Sequence, residues 1–207
     1  NAFSGMLEWI LHSIEVFSKR TDIQLVIRIH PAEVTGTLPS RQLVEDEINK
    51  KFNKLPNNIF IVPPNNSIST YILAKDCDCA VIYGTKTGVE LSAKGIPVIV
   101  AGEAWIRNKG ISIDVETIKS YDKIIDSLPL EKRNTKEIIL RAKKYAYHFF
   151  FRRMIPLDFI NIPGKNLKPY SVDISCLDDL DLDNNKGFET IMQGIINSKP
   201  FIYNEVE

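Results

Sequence analysis

The chain has little cysteine, no net charge and no long apolar run, and each shortage removes a class of protein. Three cysteines in 207 residues, Cys77, Cys79 and Cys176, make an odd count without a CxxC pair. That excludes a disulfide framework or a zinc ribbon and reads as reduced thiols in a reducing compartment. Twenty-six Lys and Arg balance 26 Asp and Glu, so a general polyanion or nucleic-acid binder, which needs a basic excess, is not expected. No apolar run approaches the ~18 residues of a bilayer span, and no signal peptide opens the chain. The expected location is cytoplasmic, with peripheral contact at the inner membrane face left open by a basic, aromatic helix. No His and Cys cluster offers a metal site, no Ser-His-Asp order stands out, and a Walker A loop is absent. The acidic stretch 173–183 lacks the glycine and the final glutamate of an EF-hand loop and reads as a solvated linker.

What is present is 44% hydrophobic residues, enough for a sizeable core, arranged in alternating periods. Leu7, Ile10, Leu11, Ile14 and Phe17 share one helical face within 6–18. The run 23–29 is a strand that must turn at His30-Pro31, because proline cannot extend a central strand. A helix over 41–52 comes next, with Ser40 as its cap, then a strand over 59–62 stopped by Pro63-Pro64 and a brief helix over 70–75 capped by Ser67 or Ser69. The stretch 76–102 reads strand, tight turn, helix, strand. Thr87 is placed to cap the helix, Glu90 to close a capping box three residues on, and Gly95 to end it. An amphipathic helix over 115–128 comes after it. The sum is an α/β fold with a doubly wound, Rossmann-like parallel sheet in a domain over 1–129. A helical and irregular extension over 130–207 completes the chain. It holds helices over 131–154 and 187–197, and an irregular, Pro-, Asp- and Asn-rich stretch over 156–185.

The candidate chemistry gathers at two loops. His30 ends a buried strand and can donate to a phosphate or cap a turn; Arg28, two residues earlier, needs a partner, whether a ligand or a salt bridge. The turn Gly84-Thr85-Lys86-Thr87-Gly88 offers backbone amides, two hydroxyls and an ammonium group to an anion. Glu90 can accept from ribose hydroxyls or merely close the helix cap. Trp105 and Arg107 could line the same pocket, and Asp114 and Glu116 are distant candidates for a catalytic carboxylate.

The order of these pieces, Arg28-x-His30-Pro31, then about fifty residues later the Thr-rich turn, Gly88-Val89-Glu90, and Lys94-Gly95-Ile96-Pro97-Val98, then Lys109-Gly110-Ile111-Ser112 after an aromatic, resembles one family. It is similar to the carboxyl-terminal half of the GT-B glycosyltransferases of the capsule polysaccharide synthesis family, which includes the Kdo transferases. The resemblance covers about residues 25–113. Lys86 stands where small or hydroxyl residues are usual, and Ser92 replaces an alanine. The resemblance implies a metal-independent transferase that holds no tight cofactor and takes a CMP- or other NDP-linked sugar. His30 would stabilise the leaving phosphate, with Arg28, Pro31, Gly84, Thr85, Lys86, Thr87, Gly88 and Glu90 around the donor. It further implies a glycan or lipid-linked acceptor held by a missing amino-terminal domain, so that these 207 residues alone would be inactive. The xRxHP opening also resembles the CDP-glycerol-dependent glycerophosphotransferases. An epimerase-like enzyme and a non-catalytic nucleotide-sugar-binding module are the remaining readings.

Overall fold

A computed structural model describes residues 1–36, 38, 40–130, 133–161 and 170–204. The first residues of the helix expected over 131–154, and part of the irregular stretch at 162–169, lie outside the described residues. The chain divides into two compact units, Asn1–Lys143 and Lys144–Glu207. The expected boundary at 129/130 and the observed division bracket the start of one helix, α7 (Lys136–Tyr147), which therefore begins in one unit and ends in the other.

The first unit is a mixed α/β body with parallel strands. Helix α1 (Met6–Phe17) buries Ile10, Ile14 and Phe17, the face its 3.6-residue period predicts. Strand β1 (Leu25–Arg28) pairs in parallel with β2 (Ile59–Val62), from Leu25 opposite Ile59 to Arg28 opposite Val62. Between them lie α2 (Ala32–Thr35) and α3 (Val44–Lys51). After α4 (Thr70–Lys75), strand β3 (Ala80–Ile82) pairs in parallel with β4 (Val98–Val100), and β4 with β5 (Ile113–Asp114). Helix α5 (Thr87–Ala93) makes the crossover from β3 to β4, and α6 (Ile118–Asp126) comes after β5. Among the described residues the parallel strands form two hydrogen-bonded sheets, β1-β2 and β3-β4-β5. A single core joins them: Ile59 of β2 and Ile29 just after β1, and Ile99 of β4 and Ala101 just after it, belong to one cluster with Ile14, Tyr121 and Ile125.

Local chemistry explains most boundaries. Ser69 caps α4 by accepting from the Tyr71 amide. Thr117 and Ser120 close a reciprocal capping box on α6. At the end of α5, Gly95 adopts φ 88, its amide reaches Ser92 O at 3.0 Å and that of Ile96 reaches Leu91 O at 3.1 Å, the paired bonds of a Schellman motif. Two expected caps differ. Helix α3 begins at Val44, not after Ser40, because the Glu33 carboxylate accepts from the Val44 amide at 3.3 Å. Helix α5 begins at Thr87 with Lys86 in the cap position, so Thr87 lies inside the helix and forms no capping box with Glu90.

Helix α1 touches both sheets. Its start touches the carboxyl ends of β3 and β4: the Ala2 amide donates to Ala101 O at 3.1 Å and the Tyr83 hydroxyl to Phe3 O at 3.4 Å. Its end touches the amino ends of β1 and β2: Asn58 Nδ2 donates to Phe17 O, Arg20 O and Ile23 O at 3.0, 3.0 and 3.1 Å, and Leu25 N–H to Asn58 O at 2.9 Å. Twelve helical residues separate these contacts by about 18 Å, more than the ~13 Å length of a four-residue strand. β1 and β2 thus start beside the end of α1, and β3 and β4 finish beside its start. Helix α6 runs alongside in the same sense, with Tyr121 bonded to Ser13 at 2.6 Å and its last carbonyls, Ile125 and Asp126, held by Arg20 at 2.9 Å.

The second unit contains the end of α7, a π-helical turn over His148–Arg152, the antiparallel pair β6 (Ile160–Asn161) and β7 (Ser171–Val172), a 3-10 turn over Leu177–Leu180 and α8 (Lys186–Asn197). Asn185 caps α8 by accepting from the Phe188 amide at 2.9 Å.

Candidate functional site

The two candidate loops leave the carboxyl ends of β1 and β3. In the first loop, His30 is exposed, and its Nδ1 accepts from the Ala32 amide at 3.0 Å. That bond orients the ring and leaves Nε2 as the nitrogen that carries a proton toward solvent in the neutral form. Pro31, with φ −54, occupies the cap position of the short helix α2.

Among the described residues Arg28 has no carboxylate partner. Its guanidinium donates to the carbonyls of Ile29 at 3.1 Å, Pro63 at 2.5 Å and Asn66 at 3.1 Å, which ties down the loop after β2. Its Nε is buried and makes no hydrogen bond among the described residues. Arg107 behaves alike at the neighbouring strands: it donates to Val100 O and Gly102 O at 3.2 Å and to Val115 O at 2.5 Å. Carbonyls at the carboxyl ends of parallel strands run out of strand partners, and a planar fork of donors collects them.

The second loop owes its shape to glycine. A Cβ on Gly84 would stand 2.7 Å from Glu103 O, and one on Gly102 would stand 2.6 Å from Tyr83 O and 2.7 Å from the Tyr83 ring. The exits of β3 and β4 therefore press together backbone to backbone. Gly88 is buried; a Cβ there would meet Ile82 Cδ1 at 2.6 Å and Ile106 Cδ1 at 2.9 Å, so this glycine lets α5 lie close on the sheet. Thr85 Oγ1 accepts from the Thr87 amide at 3.3 Å and donates to Thr87 Oγ1 at 3.2 Å, which closes the turn on itself. Lys86 is exposed beside them.

Glu90, one turn further, faces away from Gly88 on the helix. Its Oε2 accepts a hydrogen bond from the Tyr71 hydroxyl of α4, whose ring also lies 4.3 Å beneath the Lys94 ammonium. The Glu90 carboxylate and partial burial hold the Tyr71 phenol above its usual range, so it stays a donor, and among the described residues the other carboxylate oxygen of Glu90 accepts no hydrogen bond. Asp114 is occupied locally, accepting from the Asn108 amide and the Ser112 hydroxyl, each at 2.6 Å.

Sequence reasoning did not single out Tyr71, Glu33 or Gly102. No spacing in the chain marks Tyr71, because its partner is 19 residues away on another helix. The open grooves, of about 380 and 470 Å³, flank α1 and are lined by residues such as Glu15, Phe52 and Lys51; no candidate residue lines either. Among the described residues no group of three His, Cys, Asp or Glu side chains could hold a metal ion.

The fold and these loops define an α/β protein with parallel strands. The loop after β1 carries the His30 imidazole, and the glycine-shaped loop after β3 carries the Lys86 ammonium and two threonine hydroxyls, donors that suit an anion, with the Glu90 carboxylate one turn further as an acceptor. No protein-family model matches the chain, and no curated protein matches it.

Proposed function

We propose that this chain is the donor-binding half of a GT-B glycosyltransferase of surface polysaccharide synthesis, working at the cytoplasmic side of the membrane on a nucleotide-linked sugar. The supporting observation is that β1 and β2 start beside the end of α1 while β3 and β4 finish beside its start, which in one layer would bring the His30-Pro31 loop and the 84–88 turn to one carboxyl edge. Open α/β folds bind ligands along that edge. In this reading the two sheets are halves of one doubly wound layer.

An acceptor hydroxyl oxygen attacks the anomeric carbon, the bond from that carbon to the phosphate oxygen breaks, and its electron pair leaves with the phosphate. Charge grows on that oxygen as the bond lengthens. His30 Nε2–H, the Thr85 and Thr87 hydroxyls and Lys86 are donors placed to receive it, and preorganised donors of this kind act mainly on the transition state. The free oxygen of Glu90 accepts from a ribose hydroxyl. Arg28 and Gly88 serve by shaping the loops, one through its carbonyl contacts and the other through its close packing on the sheet. The acceptor, a glycan or a lipid-linked sugar, and the base that deprotonates it come from a second domain.

Thermal unfolding with CMP, CDP, UDP and GDP tests the reading. One of the four is expected to raise the melting temperature, since a ligand at a hundred times its Kd adds about 2.7 kcal/mol to the native state. His30→Ala, an exposed position, is expected to weaken that nucleotide about tenfold, the loss of one charge-assisted hydrogen bond, without lowering the melting temperature of the free protein. Indifference to all four nucleotides would rule the reading out.

A further inference from the structure

The twenty residues 138–157 hold five Lys and Arg and five aromatic rings but no Asp or Glu, in a chain whose charges otherwise balance at 26 each. In the second unit this stretch runs through the end of α7 into the π-helical turn, where the Arg153 amide reaches back five residues to His148 O at 3.0 Å. The aromatics divide into two sets. Tyr145, Phe149 and Phe150 are half-buried and pack on one another, with centroids 6.1 Å apart for Tyr145–Phe149 and 5.0 Å for Phe149–Phe150. Tyr147 and Phe151 stand outside at 55% and 58% exposure and stack on each other at 5.6 Å, and Met154 comes next at 51%. Lys144 and Arg153 lie within three residues of these in the chain and are exposed as well.

We propose that the face formed by Tyr147, Phe151 and Met154, with Lys144 and Arg153, docks on an anionic lipid bilayer. Three large apolar side chains left in water have an unfavourable solvation free energy that an acyl boundary removes. A phenol at the rim matches the headgroup layer, where amphipathic rings settle, and five basic residues in a stretch without a carboxylate match a negatively charged leaflet. Charge is what selects this occupant: symmetric pairing of this face with itself in a second copy would bring the same basic residues together. Among the described residues no helix is long and apolar enough to cross a membrane, so the attachment is peripheral and reversible. The inference rests on this face alone and is independent of the transferase reading.

Flotation of the full chain with vesicles tests it, using phosphatidylcholine alone and phosphatidylcholine with about a third phosphatidylglycerol. The chain is expected to float with the anionic vesicles, to stay behind with the neutral ones, and to be released by about 0.5 M NaCl, where screening is strong. Each charge reversal, Lys144→Glu or Arg153→Glu, should lower partitioning at least roughly fivefold, since one basic residue near such a surface is worth about that factor. Tyr147→Ser with Phe151→Ser should lower it further, and the charge reversals decide the matter if that variant loses its circular dichroism. Equal partitioning to both vesicle types, or none to either, overturns the proposal. So does a dimer in sedimentation velocity that Phe151→Ser dissolves, or retention of a single-stranded oligonucleotide by a chain that ignores the vesicles.

Discussion

Arginine is used in the first unit to finish backbone hydrogen bonding. Arg28 and Arg107 serve the carboxyl ends of strands, and Arg20 serves the end of α6, where it donates to Ile125 O, Asp126 O and Leu128 O. A lysine could not replace them, since one ammonium cannot reach three divergent carbonyls in a plane. Tyr121 shows the same economy with a single hydroxyl. It bonds Ser13 at 2.6 Å between α1 and α6, and burial pushes its phenol up to about 12. The sign comes from linkage. The folded state binds this proton more tightly than the unfolded chain does, so the stabilisation is complete below about pH 10 and is lost as pH rises toward 12, by about 1.4 kcal/mol for each pH unit of that interval. Urea unfolding of the native protein should therefore weaken more steeply over that range than that of Tyr121→Phe; identical slopes would show that Tyr121 titrates as an exposed tyrosine does.

The crossover from β3 through α5 to β4 explains how the donor loop is built. Its strands, its helix and its Gly95 stop are legible in the sequence because they rest on local signals, β-branched runs and a glycine at the helix end. Its start was not. Thr85, Lys86 and Thr87 all permit several turn geometries, and which residue begins the helix was decided by the approach of Glu103 to Gly84 and of Ile106 to Gly88. Strand β5, of two residues, is too short to leave a period. Helix α2 was hidden because Pro31, read as a stop, also suits the start of a helical turn. Two alanine substitutions separate rigid from yielding contacts. Gly102→Ala drives a Cβ into the Tyr83 carbonyl, which is fixed by the exit of β3, and should cost about 2–3 kcal/mol; Gly88→Ala meets only methyl ends and should cost about 1 kcal/mol. The difference is read from urea midpoints at constant slope, and a reversed order would mean that the β3 and β4 exits are not in backbone contact.

At the scale of the molecule, the buried cluster from Phe3 to Leu128 lies wholly within the first unit. A fragment ending at Tyr147, the last residue of α7, is expected to unfold cooperatively, with a slope in urea proportional to its smaller size. Loss of a cooperative transition would show that this core depends on residues 148–207. The candidate site divides along the same line between local and distant causes. The sequence alone determined the alternation of strands and helices, the parallel sense of the strands, the residues at both loops and the basic aromatic run, because each comes from spacing within a dozen residues. Only the tertiary structure decided that Arg28 serves carbonyls and that Glu90 is held by Tyr71. Those outcomes depend on contacts between segments tens of residues apart, and no local period or propensity records which carbonyl or hydroxyl will arrive there.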